Sequence, residues 1–161
     1  MERLRELFGE LGLAKVRSYI NSGNIFFDSD NTDRAGLVRT IEGHLLKGLG
    51  YEVPVFLRTV DELESILDAE PFGGIELTSD KRFCVVFTNT SLDTGMALPQ
   101  HSSKSDMDII AVNPSEAFVV WHIISDRPPS GKFPAEVLPP SNTTRFYHTL
   151  AKILEAAKKD T

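Results

Sequence analysis

The stretch "RSYINSGNIFF", residues 17–27, places a polar, glycine-centred segment between two apolar runs. Aromatic and β-branched residues favour strands, so "KVRSYI" (15–20) and "NIFFD" (24–28) are predicted to pair as a hairpin around residues 21–24. Asn and Gly tolerate positive φ, and Ser and Asn side chains bond nearby backbone, so turn formation alone explains this segment. The same polar groups could also cradle a ligand, and the sequence leaves both interpretations open.

Helical spacing recurs through the rest of the chain. An apolar stripe predicts a short first helix that ends at Gly12; its members are Leu4, Leu7, Phe8 and Leu11. A second helix is predicted over residues 33–47, with Gly48 and Gly50 as exits. Thr59 and Glu62 form a T-x-x-E capping box, which predicts a third helix from Val60.

A final amphipathic helix is predicted near the C-terminus. Its apolar face consists of Phe146, Leu150, Ile153, Leu154 and Ala157. Asn142 or Thr143 is the expected N-cap, because short polar side chains accept hydrogen bonds from the first free amides of a helix.

Four further apolar runs are typical of strands: "EVPVFLR" (52–58), "RFCVVFT" (82–88), "MDIIAV" (107–112) and "EAFVVWHII" (116–124). Pro54 lacks a backbone donor, which indicates a strand start or an edge. The order of elements predicts an α+β protein of two ferredoxin-like (α/β plait) halves with antiparallel sheets. We expect an N-terminal domain over residues 1–58 and a C-terminal domain over residues 59–161.

Composition narrows the functional classes. The 161-residue chain is 41% hydrophobic and carries a net charge of -6, with 17 basic and 23 acidic side chains. The acidic excess falls in residues 1–80, which disfavours binding to nucleic acid or anionic membranes. The sequence contains no run of about 20 apolar residues and no signal-peptide core, so we expect a cytoplasmic protein that does not associate with a membrane.

Motifs of common catalytic and metal sites are missing from the sequence. The four histidines lie far apart without zinc-ligand spacing, so we expect no metal site. Asp106 and Asp108 could hold Mg²⁺, although a solvated pair of acids is commoner. No G-x-S-x-G, Walker or G-x-G-x-x-G motif is present, and we expect no cofactor. Cys84 lies in an apolar run, which favours a buried core thiol over a nucleophile.

The strongest candidate site joins two polar segments. It combines Asn21, Ser22, Gly23 and Asn24 with Thr143, Thr144 and Arg145 at the expected start of the last helix. Free helix amides, two hydroxyls and a guanidinium would suit a phosphate or carboxylate, so a small anionic ligand is predicted there. In the competing interpretation Thr143 only caps the helix and Arg145 pairs with an acid. Lys132, in a Gly-Lys loop, is a weaker addition to the site.

Two other functional classes stay open. An enzyme would need a general base near the same residues, and His148 is the nearest candidate because it lies three residues beyond Arg145 on the predicted helix. An RNA-binding or protein-interaction module could use Arg17, Tyr19 and Phe27 on an open sheet face. The aromatic RNA-binding consensus is absent and the first half of the chain is acidic, so we rank RNA binding below a small-ligand or protein-interaction role.

Residues 19–27, "YINSGNIFF", and residues 143–145, "TTR", resemble signatures of the bacterial domain-of-unknown-function family 1697. The resemblance implies two tandem plaits and no established activity. Members usually begin with a strand and a glycine-rich loop before the first helix, and this chain begins inside that helix. Members also read "TTRNWNT", where this chain has Phe146, Tyr147 and His148 after the arginine.

A plait without its first strand exposes unpaired backbone on both neighbouring strands. Two outcomes are expected from this resemblance. Either a second copy of the chain supplies a strand, giving a homodimer, or residues 51–58 pair differently within the chain.

Overall fold

The computed structural model describes residues 2–19 and 23–159, and the chain divides into two compact units. The first unit comprises residues 1–60 and 153–161, and the second comprises residues 61–152. Within the described residues, no helix has both the length and the apolar character that a membrane span requires.

The first unit packs two helices against a two-stranded hairpin. Its elements are α1 (Glu2–Glu10), β1 (Ala14–Tyr19), β2 (Asn24–Asp28) and α2 (Arg34–Leu49). The strands are antiparallel, and Tyr19 lies opposite Asn24. The core consists of Leu7, Phe8, Leu37, Ile41 and Leu45. The predicted hairpin and the first two helices are therefore confirmed, although Ile20, Asn21 and Ser22 lie outside the described residues.

Local chemistry sets the ends of these helices. Gly12 adopts a φ of +78° just after α1, and Gly50 adopts a φ of +83° at the end of α2. A side chain in this left-handed region is strained, so glycine is the residue that ends each helix. At the start of α2, the Asp33 carboxylate accepts a hydrogen bond from the Gly36 amide at 3.1 Å.

The predicted strand over residues 52–58 does not form, and this prediction is wrong. Val53, Val55 and Leu57 still pack against the core of the first unit, so the alternation of apolar residues correctly predicted burial. Pro54 cannot donate to a ladder, and the Val55 amide donates to the Glu42 carboxylate at 3.1 Å. The segment thus packs through side chains without joining a sheet. The homodimer expected from an unfilled edge stays a prediction.

The second unit is built on a five-stranded antiparallel sheet. Its strands are β3 (Lys81–Thr88), β4 (Gln100–His101), β5 (Met107–Val112), β6 (Glu116–His122) and β7 (Asn142–Phe146), in the spatial order β4-β5-β6-β3-β7. Helix α3 (Val60–Asp68) precedes the sheet and begins where the capping box predicts. Helix α4 (Tyr147–Lys159) follows β7; its residues 147–152 belong to the second unit and its residues 153–159 to the first.

Strand β3 lies between β6 and β7, and its residues from Cys84 to Thr88 are buried. Cys84 and Val86 contribute to one core cluster, together with Ile109 and Val119. Burial raises the pKa of the Cys84 thiol to about 12, so it stays protonated at neutral pH. The predicted core thiol is confirmed.

The predicted N-cap of the last helix at Asn142 or Thr143 is wrong. Residues 142–146 form β7, which pairs with β3 and places Thr144 opposite Val86. The helix begins only at Tyr147. Adjacent threonines and an aromatic residue have high strand propensity, and the open side of β3 supplies the partner that the sequence alone does not show.

Both sheets are antiparallel and the helices lie before, between and after the strands, so the predicted α+β class is confirmed. The two-stranded and five-stranded sheets belong to different units. The candidate site residues on β7 therefore belong to the second unit, whereas Gly23 and Asn24 belong to the first.

Replacing Val85 with Asp tests the position of β3 at the centre of the second unit. Val85 is fully buried, so an unpaired carboxylate there should lower the free energy of unfolding by about 3 kcal/mol or more. Urea unfolding measures the change. Ile124→Asp, at a side chain that is 55% exposed, is the matched control and should change stability by less than about 1 kcal/mol. Equal effects of the two substitutions would contradict the buried position of β3.

Candidate functional site

An open cleft of about 380 Å³ lies where β3 begins and α4 starts. It is lined by Leu77, Thr78, Ser79, Lys81, Arg82, Phe83, Phe146, Tyr147 and His148. All of these residues belong to the second unit. We call this set the basic cleft, because three of its side chains are basic and none carries a carboxylate.

The three basic side chains of the cleft make no ion pair within the described residues. Lys81 is half-buried, and the guanidinium of Arg82 donates to the carbonyl oxygens of Ser79 (3.0 Å) and Lys81 (2.7 Å). The His148 ring stacks on Phe146, with 5.7 Å between ring centroids and 10° between planes. The cleft thus presents an ammonium, a guanidinium and an imidazole that are not neutralised by a carboxylate contact.

Carboxylates lie near the cleft without lining it. Asp80 accepts a hydrogen bond from the Thr78 hydroxyl, which is the main reason that its pKa is lowered; Lys81 lowers it further. Burial raises the pKa of Tyr147, and the charges of Glu70 and Asp68 raise it further. The negative groups therefore sit around a lining that is itself positive.

The predicted ligand residues Thr143, Thr144 and Arg145 form a local network on β7. The Arg145 guanidinium donates to the Thr143 hydroxyl at 2.8 Å and to the Thr144 carbonyl oxygen at 2.9 Å. Burial lowers the pKa of Arg145. These residues carry no helix N-terminal amides, because their backbone lies in the sheet.

Of the other predicted ligand residues, Gly23 and Asn24 lie at the tip of the hairpin in the first unit. Gly23 has a φ of +81°, and the Asn24 side-chain amide donates to the Tyr19 carbonyl oxygen at 3.4 Å. These contacts are those of a turn. Asn21 and Ser22 fall outside the described residues, so the ligand-binding prediction for this segment stays untested.

Arg145 and His148 do not share a helix face, and that prediction is wrong, since Arg145 lies in β7 and the helix begins at Tyr147. His148 nevertheless lines the basic cleft. The predicted site does not include Lys81 and Arg82. The sequence feature that could have indicated them is the pair of adjacent cations where the apolar run "RFCVVFT" begins, since the end of a strand is exposed to solvent.

Asp106 and Asp108 have separate structural roles: the Asp106 carboxylate is buried, and the Asp108 carboxylate is half-buried between two histidines. Asp108 contacts two rings, His101 Nδ1 at 2.6 Å and His122 Nε2 at 2.8 Å. Burial raises its pKa, but the hydrogen bonds from the histidines outweigh this and the net shift is downward. Across the described part of the chain, no group of three or more acidic, histidine or cysteine side chains could hold a metal ion.

Asp106 anchors the proline-rich loop that precedes β7. Its buried carboxylate accepts hydrogen bonds from the Ser102 hydroxyl (2.6 Å) and from the amides of Ser130 (2.8 Å) and Gly131 (3.1 Å). The Ser102 hydrogen bond is the main cause of a lowered pKa at Asp106. A Cβ at Gly131 would approach the same carboxylate at 2.5 Å, so glycine is required for this close contact.

The fold and sequence define a protein of the α+β class from a family with no assigned activity. Residues 1–118 match the model of the family described as protein of unknown function, DUF1697, and the chain belongs to that family. Residues 143–145 lie beyond the matched region. A solved structure, that of the conserved bacterial protein SP0830 from Streptococcus pneumoniae, is similar to this chain with a TM-score of 0.64 and 25% identity. The similarity covers 99% of this chain and 89% of that one. No curated protein matches the sequence.

Replacing Asp106 with Asn should release the proline-rich loop. The side chain of Asn has one oxygen and one NH₂ group, so a hydrogen-bond donor that now meets a carboxylate oxygen would face an NH₂ group instead. We expect a loss of about 1–3 kcal/mol in unfolding free energy and faster hydrogen exchange at the amides of Ser130 and Gly131. Asp126→Asn is the control, since Asp126 is exposed and Asn tolerates its positive φ of 58°. Unchanged exchange at both amides would contradict the anchoring role.

The same contacts predict a pH dependence of stability. The pKa of Asp106 is lower in the folded state than its unfolded value of about 3.9, so its contribution is present above about pH 4. The contribution is lost as the pH falls through the folded pKa. Acid titration of unfolding free energy should therefore show a smaller decrease below pH 4 for Asp106→Asn than for the unchanged protein.

Proposed function

We propose that this protein binds a small anionic ligand, such as a phosphate or carboxylate compound, in the basic cleft at the start of α4. The observation that supports this is the convergence of Lys81, Arg82 and His148 on one cleft whose lining contains no acid. The whole chain carries a net charge of -6, so a cluster of three basic groups departs from the average surface. We also propose that the protein is cytoplasmic, as the sequence predicts.

The groups in the cleft are chemically suited to an anion. An ammonium offers a compact charge, whereas a guanidinium offers a planar pair of donors for two oxygens of one carboxylate or phosphate. The first backbone amides of α4, at Tyr147 and His148, have no acceptors within the helix. They add a positive partial charge beside the basic cleft. A volume of about 380 Å³ suits a small molecule rather than a polymer.

The other two functional classes receive less support. His148 lines the cleft and could act as a general base on a bound ligand, so an enzyme remains the alternative at the same place. The RNA-binding interpretation requires Phe27 on an open sheet face. Its ring instead packs near Phe8, with 5.9 Å between centroids, and its side chain adjoins the core of the first unit.

Titration with inorganic phosphate by calorimetry, with thermal unfolding in parallel, tests the proposal. Phosphate should raise the melting temperature of the unchanged protein, and the effect should weaken with added NaCl. Lys81→Gln and Arg82→Gln should each weaken phosphate binding by about threefold or more. Lys47→Gln and Arg39→Gln remove exposed charges of the same kind from α2 and should leave binding unchanged.

Two further variants locate the ligand. Asn24→Ala tests the hairpin tip and Arg145→Gln tests the β7 network, and neither should weaken phosphate binding as much as the cleft variants do. If Asn24→Ala is the one variant that weakens phosphate binding, the site lies at the predicted turn and not in the basic cleft. Absence of phosphate binding in the unchanged protein, with no stabilisation by simple carboxylates, would overturn the proposed function.

A further inference from the structure

A second cavity, of about 420 Å³, lies between the sheet of the second unit and the proline-rich loop. It is lined by Val86, Met107, Val119, Trp121, Lys132, Phe133, Ala135, Leu138, Pro139, Pro140, Asn142 and Thr144. Strands β3, β5, β6 and β7 supply its floor and residues 132–140 supply its roof. We call it the loop cavity.

The roof of the loop cavity is held in place by hydrogen bonds at both ends. At one end, the Asp106 carboxylate binds the amides of Ser130 and Gly131, and the Lys132 carbonyl and amide bond to Ser103. At the other end, the Asn142 side-chain amide donates to the Pro139 carbonyl oxygen at 2.7 Å. Prolines further restrict the backbone between these anchors. The chain's own hydrogen bonds therefore hold the roof over the sheet.

The lining combines a large apolar area with one cation. Trp121 and Phe133 supply aromatic surface, and Trp121 meets Phe146 edge-on with 5.4 Å between ring centroids. Lys132 is exposed, and within the described residues its ammonium makes no ion pair. Glu136 lies on the same loop but does not line the cavity. The lining is therefore complementary to a molecule with an apolar body and a single negative charge.

We propose that the loop cavity is a binding site for a small aromatic carboxylic acid, whose ring lies against Trp121 and Phe133 and whose carboxylate meets Lys132. Thr144 offers a further hydroxyl contact on the β7 side. A dry cavity of about 150 Å³ is enough to hold benzene, so about 420 Å³ accommodates a phenyl ring with a short acid chain. This site shares no lining residue with the basic cleft.

The single tryptophan of the chain makes the test direct, because Trp121 gives the one indole N–H signal in a ¹H–¹⁵N spectrum. 4-Phenylbutyrate should shift this signal in a saturable titration. 4-Phenylbutyramide keeps the ring and removes the charge, and should bind about threefold or more weakly. Acetate keeps the charge and removes the ring, and should not shift the signal at the same concentrations.

Matched variants separate the contributions to binding. Lys132→Gln should reduce the affinity for 4-phenylbutyrate to that of the amide, whereas Arg127→Gln removes an exposed cation of the same loop and should have no effect. Ala135→Phe places a ring in the cavity from an exposed position and should block binding without unfolding the core. Circular dichroism and thermal unfolding of each variant confirm that it is folded.

Trp121 contacts Phe146 of the basic cleft, so a cleft variant is needed to separate the two sites. Lys81→Gln should leave 4-phenylbutyrate binding unchanged even if it abolishes phosphate binding. Equal affinities for the acid and the amide, unchanged by Lys132→Gln, would overturn recognition of the carboxylate. Absence of a shift at Trp121 up to millimolar 4-phenylbutyrate, or full binding by Ala135→Phe, would overturn the site itself.

Discussion

The antiparallel pairing of β3 with β6 on one side and β7 on the other is the constraint on which the second unit depends. Because both edges of β3 are hydrogen-bonded, its residues from Cys84 to Thr88 are removed from water. This pairing also determines where β7 ends and α4 begins. The end of β7 brings Phe146, Tyr147 and His148 next to the start of β3, so the basic cleft results directly from the register of these strands.

A buried carboxylate anchors the loop that packs against the same sheet. Asp106 satisfies two loop amides and one hydroxyl, which together offset the cost of removing its charge from water. The loop it anchors packs over an apolar face of the sheet and leaves a cavity that Pro139 and Pro140 help to line. One sheet thus supports two chemically different concave surfaces, one with three basic groups and one that is mostly apolar.

The first unit shows how side-chain packing and backbone pairing can be separated. Residues 52–58 alternate like a strand, and Val53, Val55 and Leu57 reach the core. Alternation reports only which side chains are buried, since a strand also needs a partner for its backbone groups. The Val55 amide meets the Glu42 carboxylate. Such a contact, between residues 13 positions apart, depends on how α2 packs and leaves no signal in the sequence.

The sequence by itself determined the elements whose cause is local: α1 with Gly12, α2 with Asp33 and Gly50, the start of α3, and the apolar runs of β3, β5 and β6. Periodicity and capping act over a few residues, so they can be read directly. Tertiary structure alone decided that residues 142–146 form a strand and that Lys81, Arg82 and His148 meet at one cleft. Those outcomes depend on pairing between segments about 60 residues apart, because a strand exists only with its partner and a site only where distant side chains converge.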